Sequence, residues 1–166
     1  MAKRIANRLL ILVLLLLLVG CDHASKGVAK AALADGGAVE VVRGAISLTY
    51  VENTDIAFNL LRFIPEAIRF PALLVGGAVA VLALCLLLLR TRRSSSVSLL
   101  ALILVTAGAV GNYLDRVFRG YVVDFVHLPH WPVFNIADVY ITVGGLALAW
   151  AFFVKQKSEP PVEPTQ

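Results

Sequence analysis

Two carboxylates stand out by their surroundings. Asp124 lies in Tyr121-Val-Val-Asp-Phe-Val126, an apolar setting without an adjacent cation, and Asp138 lies in Phe134-Asn-Ile-Ala-Asp138, where a long apolar run begins. In the first turn of a helix, free amide N–H groups and the helix dipole favour a negative side chain. Asn135, three residues before Asp138, is placed to be the N-cap. Two carboxyl groups in unlike environments suit general acid–base chemistry, one ionised to activate water and the other protonated to polarise a carbonyl. Held close together, they share a proton and titrate as a pair. Spacing alone leaves their separation open.

A second set of polar residues sits at the ends of apolar runs. Asp22 and Lys26 are i,i+4 neighbours and can pair on one helix face, while Asn112, Asp115 and Arg116 close a later run. Ionisable groups at a membrane boundary are functional candidates by default. Other chemistries are poorly supported. His23, His127 and His130 lack a further ligand pattern, so no metal site is expected. The serines fall mostly at residues 94–98, away from any base, which argues against a serine nucleophile. No phosphate-binding glycine loop is present.

The elements that must position these residues are membrane spans. Hydrophobic residues make up 59% of the 166, against about 45–50% apolar in soluble domains, and so short a chain cannot cover such a core with polar surface. Residues 70–89, 97–116 and 135–154 each approach the roughly 20 residues needed to cross a bilayer. The first apolar run, residues 9–21, is short and ends in Leu18-Val19-Gly20-Cys21, which has the form of a lipobox. A lipoprotein precursor lipidated at Cys21 would continue into a soluble domain, whereas this chain continues into three more spans. The first span is therefore read as uncleaved and running on to residue 33. The net charge of +4 does not signal nucleic acid. Lys3, Arg4, Arg8, Arg90, Arg92, Arg93, Lys155 and Lys157 flank the spans as the positive-inside rule predicts.

Four spans with both termini cytoplasmic follow, and every costly polar residue then falls on the outer face, with Asp124 in the short loop between the third and fourth spans. Residues 35–69 form an outer segment. Within it, residues 38–51 carry β-branched residues and partial alternation, predicting one or two short strands. Residues 59–69 read as an interfacial amphipathic turn or helix. Residues 1–154 form one domain, and residues 155–166, rich in Pro and Glu, form a disordered cytoplasmic tail. A small transporter or proton relay would need polar groups spread through the bilayer depth, and here they cluster at one boundary.

Five segments resemble, in order, motifs of the bacterial lipoprotein signal peptidases (signal peptidase II). Asp22-His-Ala-Ser-Lys26 resembles the motif ending the first span, and Asn53-Thr-Asp-Ile-Ala-Phe58 an outer-loop element. Gly111-Asn-Tyr-Leu-Asp-Arg116 is similar to the G-N-x-x-D-R motif, Val123-Asp-Phe125 to the first catalytic aspartate segment, and Phe134-Asn-Ile-Ala-Asp138 to F-N-x-A-D. The resemblance implies an all-α membrane fold: a four-transmembrane-helix bundle with a small outer β-cradle and a short interfacial helix. It implies an aspartic endopeptidase of the bacterial inner membrane, acting as a monomer without metal or organic cofactor, with its active site at the outer face. Its substrates are diacylglyceryl-modified prolipoproteins in the lipid bilayer, cut before the lipidated cysteine. Asp124 and Asp138 map to the catalytic dyad. Asn53, Asn112, Arg116 and Asn135 map to substrate-site residues, and Asp22, Lys26 and Asp115 to their support. Asp55 and Asn59 depart from the family, which usually has Gly and a small residue there. The departure is expected to change the shape of the outer loop, and with it substrate or inhibitor preference.

Overall fold

The computed structural model describes residues 2–55, 63–91 and 96–158. The element order is α1 (Ala2–Leu33), β1 (Val39–Val42), β2 (Ile46–Asn53), α2 (Glu66–Arg90), α3 (Ser96–Arg119), β3 (Val122–His127) and α4 (Ile136–Ser158). All four helices contain a stretch long and apolar enough to span a membrane. Large side chains such as Leu16 on α1, Val79 on α2 and Leu146 on α4 are more than half exposed on them. That suits helices whose solvent is lipid.

The central helix is α3, which carries most of the buried small residues: Ala101, Thr106, Ala107, Gly108 and Gly111. A Cβ at Gly108 would sit 2.3 Å from the Ala137 carbonyl oxygen, and one at Gly144 would sit 2.7 Å from that of Ala101. α3 and α4 therefore approach backbone to backbone, the close packing that small residues allow between spanning helices.

The helices outrun the predicted spans at several ends. α1 already begins at Ala2, because no helix breaker separates the basic N-terminal residues from the apolar run. Of the amphipathic segment at 59–69, residues 59–62 lie outside the described residues, 63–65 form a turn, and Glu66 opens α2 directly after Pro65. Residues 66–69 are thus part of the second helix. α3 continues to Arg119 and stops at Gly120, whose φ of 81° suits glycine after a helix. α4 runs on to Ser158, so residues 155–158, expected in the tail, are helical; no Pro or Gly interrupts them. The rest of the tail, 159–166, lies outside the described residues.

Three strands form one antiparallel sheet in the order β1-β2-β3. Of the one or two strands expected over 38–51, two form, and β1 and β2 pair as a hairpin turned at Gly44 (φ 70°). β3 pairs with β2, Asp124 opposite Val51 and Val126 opposite Leu48, with a bulge between. Asp124 was expected in a loop. It lies instead in a strand whose residues from Val122 to Phe125 are all buried, and so show no alternation for the sequence to reveal. Ala29 and Leu33 of α1 pack on Phe125, joined by Leu48, Tyr50 and Ile136, which seats the sheet on the end of the bundle where α1 and α3 finish and α4 starts.

Candidate active site

Asn135 organises the site. It directly precedes α4, and its Oδ1 accepts the Asp138 backbone N–H at 3.0 Å while Asp138 Oδ2 accepts the Asn135 backbone N–H at 3.2 Å. This is a reciprocal capping box with asparagine at the N-cap and aspartate at N3, so local sequence fixes the Asp138 side chain. The Asn135 amide Nδ2 then donates to Asp124 Oδ1 at 2.6 Å. One fully buried residue thereby touches both carboxyl groups.

The remaining carboxylate oxygens are met by two more asparagines. Asn53 Nδ2 donates to Asp124 Oδ2 at 2.8 Å from the end of β2, and Asn112 Nδ2 donates to Asp138 Oδ1 at 2.8 Å from α3. Asn112 Oδ1 accepts from Asn135 Nδ2 at 3.1 Å and from Lys26 Nζ at 3.0 Å. Burial pushes the Asp124 carboxyl up to about 6, with the Asp138 charge adding to the rise; the amides of Asn53 and Asn135 and the Lys26 charge oppose it.

Behind this layer lies a cluster of ions. Asp22, Lys26 and Asp115 are all 0% exposed. Lys26 Nζ reaches Asp22 Oδ2 at 2.7 Å and Asp115 Oδ2 at 2.9 Å, and Arg119 pairs with Asp115 Oδ1. The second oxygen of Asp22 accepts the Ala137 backbone N–H at 3.0 Å, which satisfies another free amide of the first turn of α4. A Cβ at Gly111 would lie 2.5 Å from Asp22, so α3 must present a glycine there.

Asp124 and Asp138 open on a cavity of about 710 Å³, also lined by Asn53, Asn112 and Arg116 and walled by apolar groups such as Val122, Phe134 and Ile141. Arg116 Nη1 donates to the Asn112 carbonyl at 3.2 Å and Nη2 to the Asp55 carbonyl at 2.7 Å. All nine residues singled out from the sequence therefore belong to one connected network, with Asn53, Asn112, Arg116 and both aspartates at the cavity itself. The two carboxyls thus face one cavity beside an apolar wall.

No histidine is among the described residues that line the cavity. His23 Nδ1 is 3.6 Å from Asp115 Oδ1, His127 Nδ1 is 3.1 Å from Ser47 Oγ, and His130 is exposed in a turn. Cys21 is an exposed position within the unbroken helix α1. Sequence reasoning missed two partners. Arg119 had a usable signal, its i,i+4 spacing from Asp115. Arg69, which reaches Asp55 Oδ2 at 3.4 Å, had none, because the contact joins two different elements.

A family model described as signal peptidase (SPase) II matches residues 14–154. A lipoprotein signal peptidase of Pseudomonas putida is 38% identical over 162 residues, covering 94% of each chain. One of Pelodictyon phaeoclathratiforme is 34% identical over 148 residues, covering 81% of this chain and 85% of its own. Among solved structures, a bacterial membrane enzyme determined at 2.3 Å matches with a TM-score of 0.79 at 23% identity, covering 93% of this chain and 94% of its own. Another, at 1.9 Å, matches with a TM-score of 0.75 at 24% identity over 86% and 91%. These two share the four-helix fold.

Proposed function

The chain belongs to the signal peptidase II family, aspartic peptidases that act on prolipoproteins, and on that premise we propose that Asp124 and Asp138 are its catalytic dyad. The reaction is hydrolysis of the peptide bond before the lipidated cysteine of a diacylglyceryl-modified prolipoprotein. The observation that carries it is Asn135, whose backbone and side chain touch both carboxyls at the rim of one cavity.

Asp138, at the start of α4, takes a proton from a water held between the two side chains. The water oxygen bonds to the scissile carbonyl carbon while Asp124 gives its proton to the carbonyl oxygen, forming a neutral gem-diol. Collapse breaks the C–N bond; Asp138 passes its proton to the leaving nitrogen and a diol hydroxyl returns one to Asp124. The raised Asp124 carboxyl suits the role of proton holder. The apolar wall at Val122, Phe134 and Ile141 suits a lipid-bearing substrate. Asn53, Asn112, Asn135 and Arg116 bind or orient it, and Asp22, Lys26 and Asp115 fix the helices that carry them.

Four membrane-capable helices make this a multi-pass protein of the bacterial inner membrane. Arg8 near the start of α1, Arg90 at the end of α2, and Lys155 and Lys157 near the end of α4 lie at the helix ends away from the dyad. That bias supports cytoplasmic termini and an outward-facing site.

The test is processing of a purified diacylglyceryl-modified precursor by Asp124→Asn and Asp138→Asn, with thermal midpoints in detergent as the folding control. Each folded variant is expected to lose about 10²–10⁴-fold in rate. Substantial cleavage by either rejects the dyad. Equal rates on an unlipidated precursor would reject the proposed specificity alone.

A further inference from the structure

Asp55 follows the end of β2 and is 3% exposed. A carboxylate so buried must be paired or hydrogen-bonded, and three of the ties of Asp55 run to described residues. Its side chain accepts from Arg69 Nη1, in the first turn of α2, at 3.4 Å. Its backbone N–H donates to Asn53 Oδ1 at 2.9 Å, on the amide that also holds Asp124. Its carbonyl accepts from Arg116 Nη2 at 2.7 Å. One residue thus joins α2, the end of β2 and α3 at the edge of the cavity.

What it restrains is a cation close to the reacting carboxyls. Arg116 lies within electrostatic reach of both Asp124 and Asp138, and its Nε is buried without a hydrogen-bond partner among the described residues. Among the described residues, the Asn112 and Asp55 carbonyls orient the guanidinium. Without the Asp55 carbonyl, the attraction of two nearby carboxylates would draw Arg116 onto the dyad.

We propose that Asp55, anchored by Arg69, is a positioning residue that holds the Arg116 guanidinium at the cavity wall and off the aspartate pair. This rests on the dyad reading. An arginine in contact with Asp124 would keep that carboxyl ionised and remove the proton the carbonyl oxygen must receive. The charged groups facing this site are Asp22 and Lys26 of α1, Glu52 and Asp55, Arg69 of α2, Asp115 and Arg119 of α3, Asp124 of β3 and Asp138 of α4. None of the ion pairs among Asp22, Lys26, Asp115 and Arg119 includes Asp55 or Arg69.

The experiment is the pH profile of kcat/KM on a lipidated precursor for Asp55→Asn and Arg69→Gln, each alone and combined with Arg116→Gln. An opposite charge close to a carboxyl lowers its pKa by about 1–3 units. The alkaline limb of both single variants is therefore expected to fall by at least about one pH unit, with a roughly tenfold rate loss above it. Combined with Arg116→Gln, neither change should move the limb away from that of Arg116→Gln alone. An unmoved limb in the single variants, or a shift that persists without Arg116, overturns the proposal. Thermal midpoints are measured alongside; a variant that loses stability while keeping its limb assigns Asp55 a purely structural role, which also overturns it. Failure of the dyad reading would show separately, as cleavage retained by Asp124→Asn.

Discussion

Replacing Asn53 by Ala should extend activity to higher pH. Asn53 donates one of the two amide N–H groups that Asp124 accepts, at 2.8 Å. A hydrogen bond to a charged acceptor contributes about 1.5–3 kcal/mol, and 1.36 kcal/mol corresponds to one pH unit. Water entering the vacated space recovers part of this, which leaves an expected change of about one unit. The sign follows from burial. Asp124 already stands at about 6 because its charged form is desolvated, and removing a donor makes that form still less favourable. The proton needed at the carbonyl oxygen is lost as pH rises through this value, so the alkaline limb of kcat/KM should move from near 6 to near 7. Asp55 keeps its bond to Arg69 in this variant, so Arg116 should stay in place. The assay is cleavage of a lipidated precursor in detergent across the pH range. Only the position of the limb is compared, because a lost substrate contact would change its height. A limb that stays put or moves down would refute the assignment of Asp124 as the proton holder.

Lys26→Met should destabilise the protein by about 3–5 kcal/mol, the usual cost of stranding buried charges, because Asp22 and Asp115 are both fully buried against it. Chemical denaturation in micelles checks this, and adding Asp22→Asn should recover part of the loss. Gly108→Ala should cost at least about 1–3 kcal/mol, the range for overpacking, since its Cβ would lie 2.3 Å from a backbone oxygen. The thermal midpoint would read it, with Gly145→Ala, which meets nothing within 4 Å, as the control.

What the sequence disclosed follows the range of the forces involved. The four spans were legible because bilayer thickness imposes a length on each apolar run. Asp138 was legible because a capping box is a local pattern, Asn135 and Asp138 being three residues apart. β3 was hidden because a strand covered on both faces reads as a plain apolar run, and six residues of it suit a loop between helices equally well. The Asp55–Arg69 pair was hidden for a different reason. Its partners sit on separate elements, and nothing in either segment marks the other.

The network sorts charge from proton. Among the described residues, Asp22, Lys26, Asp115 and Arg119 pair with one another behind the cavity. The four carboxylate oxygens of Asp124 and Asp138 are met by amide or backbone N–H groups. Asn112 stands between the layers, taking Lys26 on its carbonyl oxygen and giving its N–H to Asp138. A lysine or arginine in direct contact with the pair would hold both carboxyls ionised and leave no acid for the carbonyl oxygen. An apolar side chain in place of an asparagine would leave a buried carboxyl short of a donor. Neutral amides fix the geometry without supplying a full charge, and burial then raises the Asp124 carboxyl so that it can hold the proton. Three asparagines are therefore as much a condition of the proposed chemistry as the two aspartates they hold.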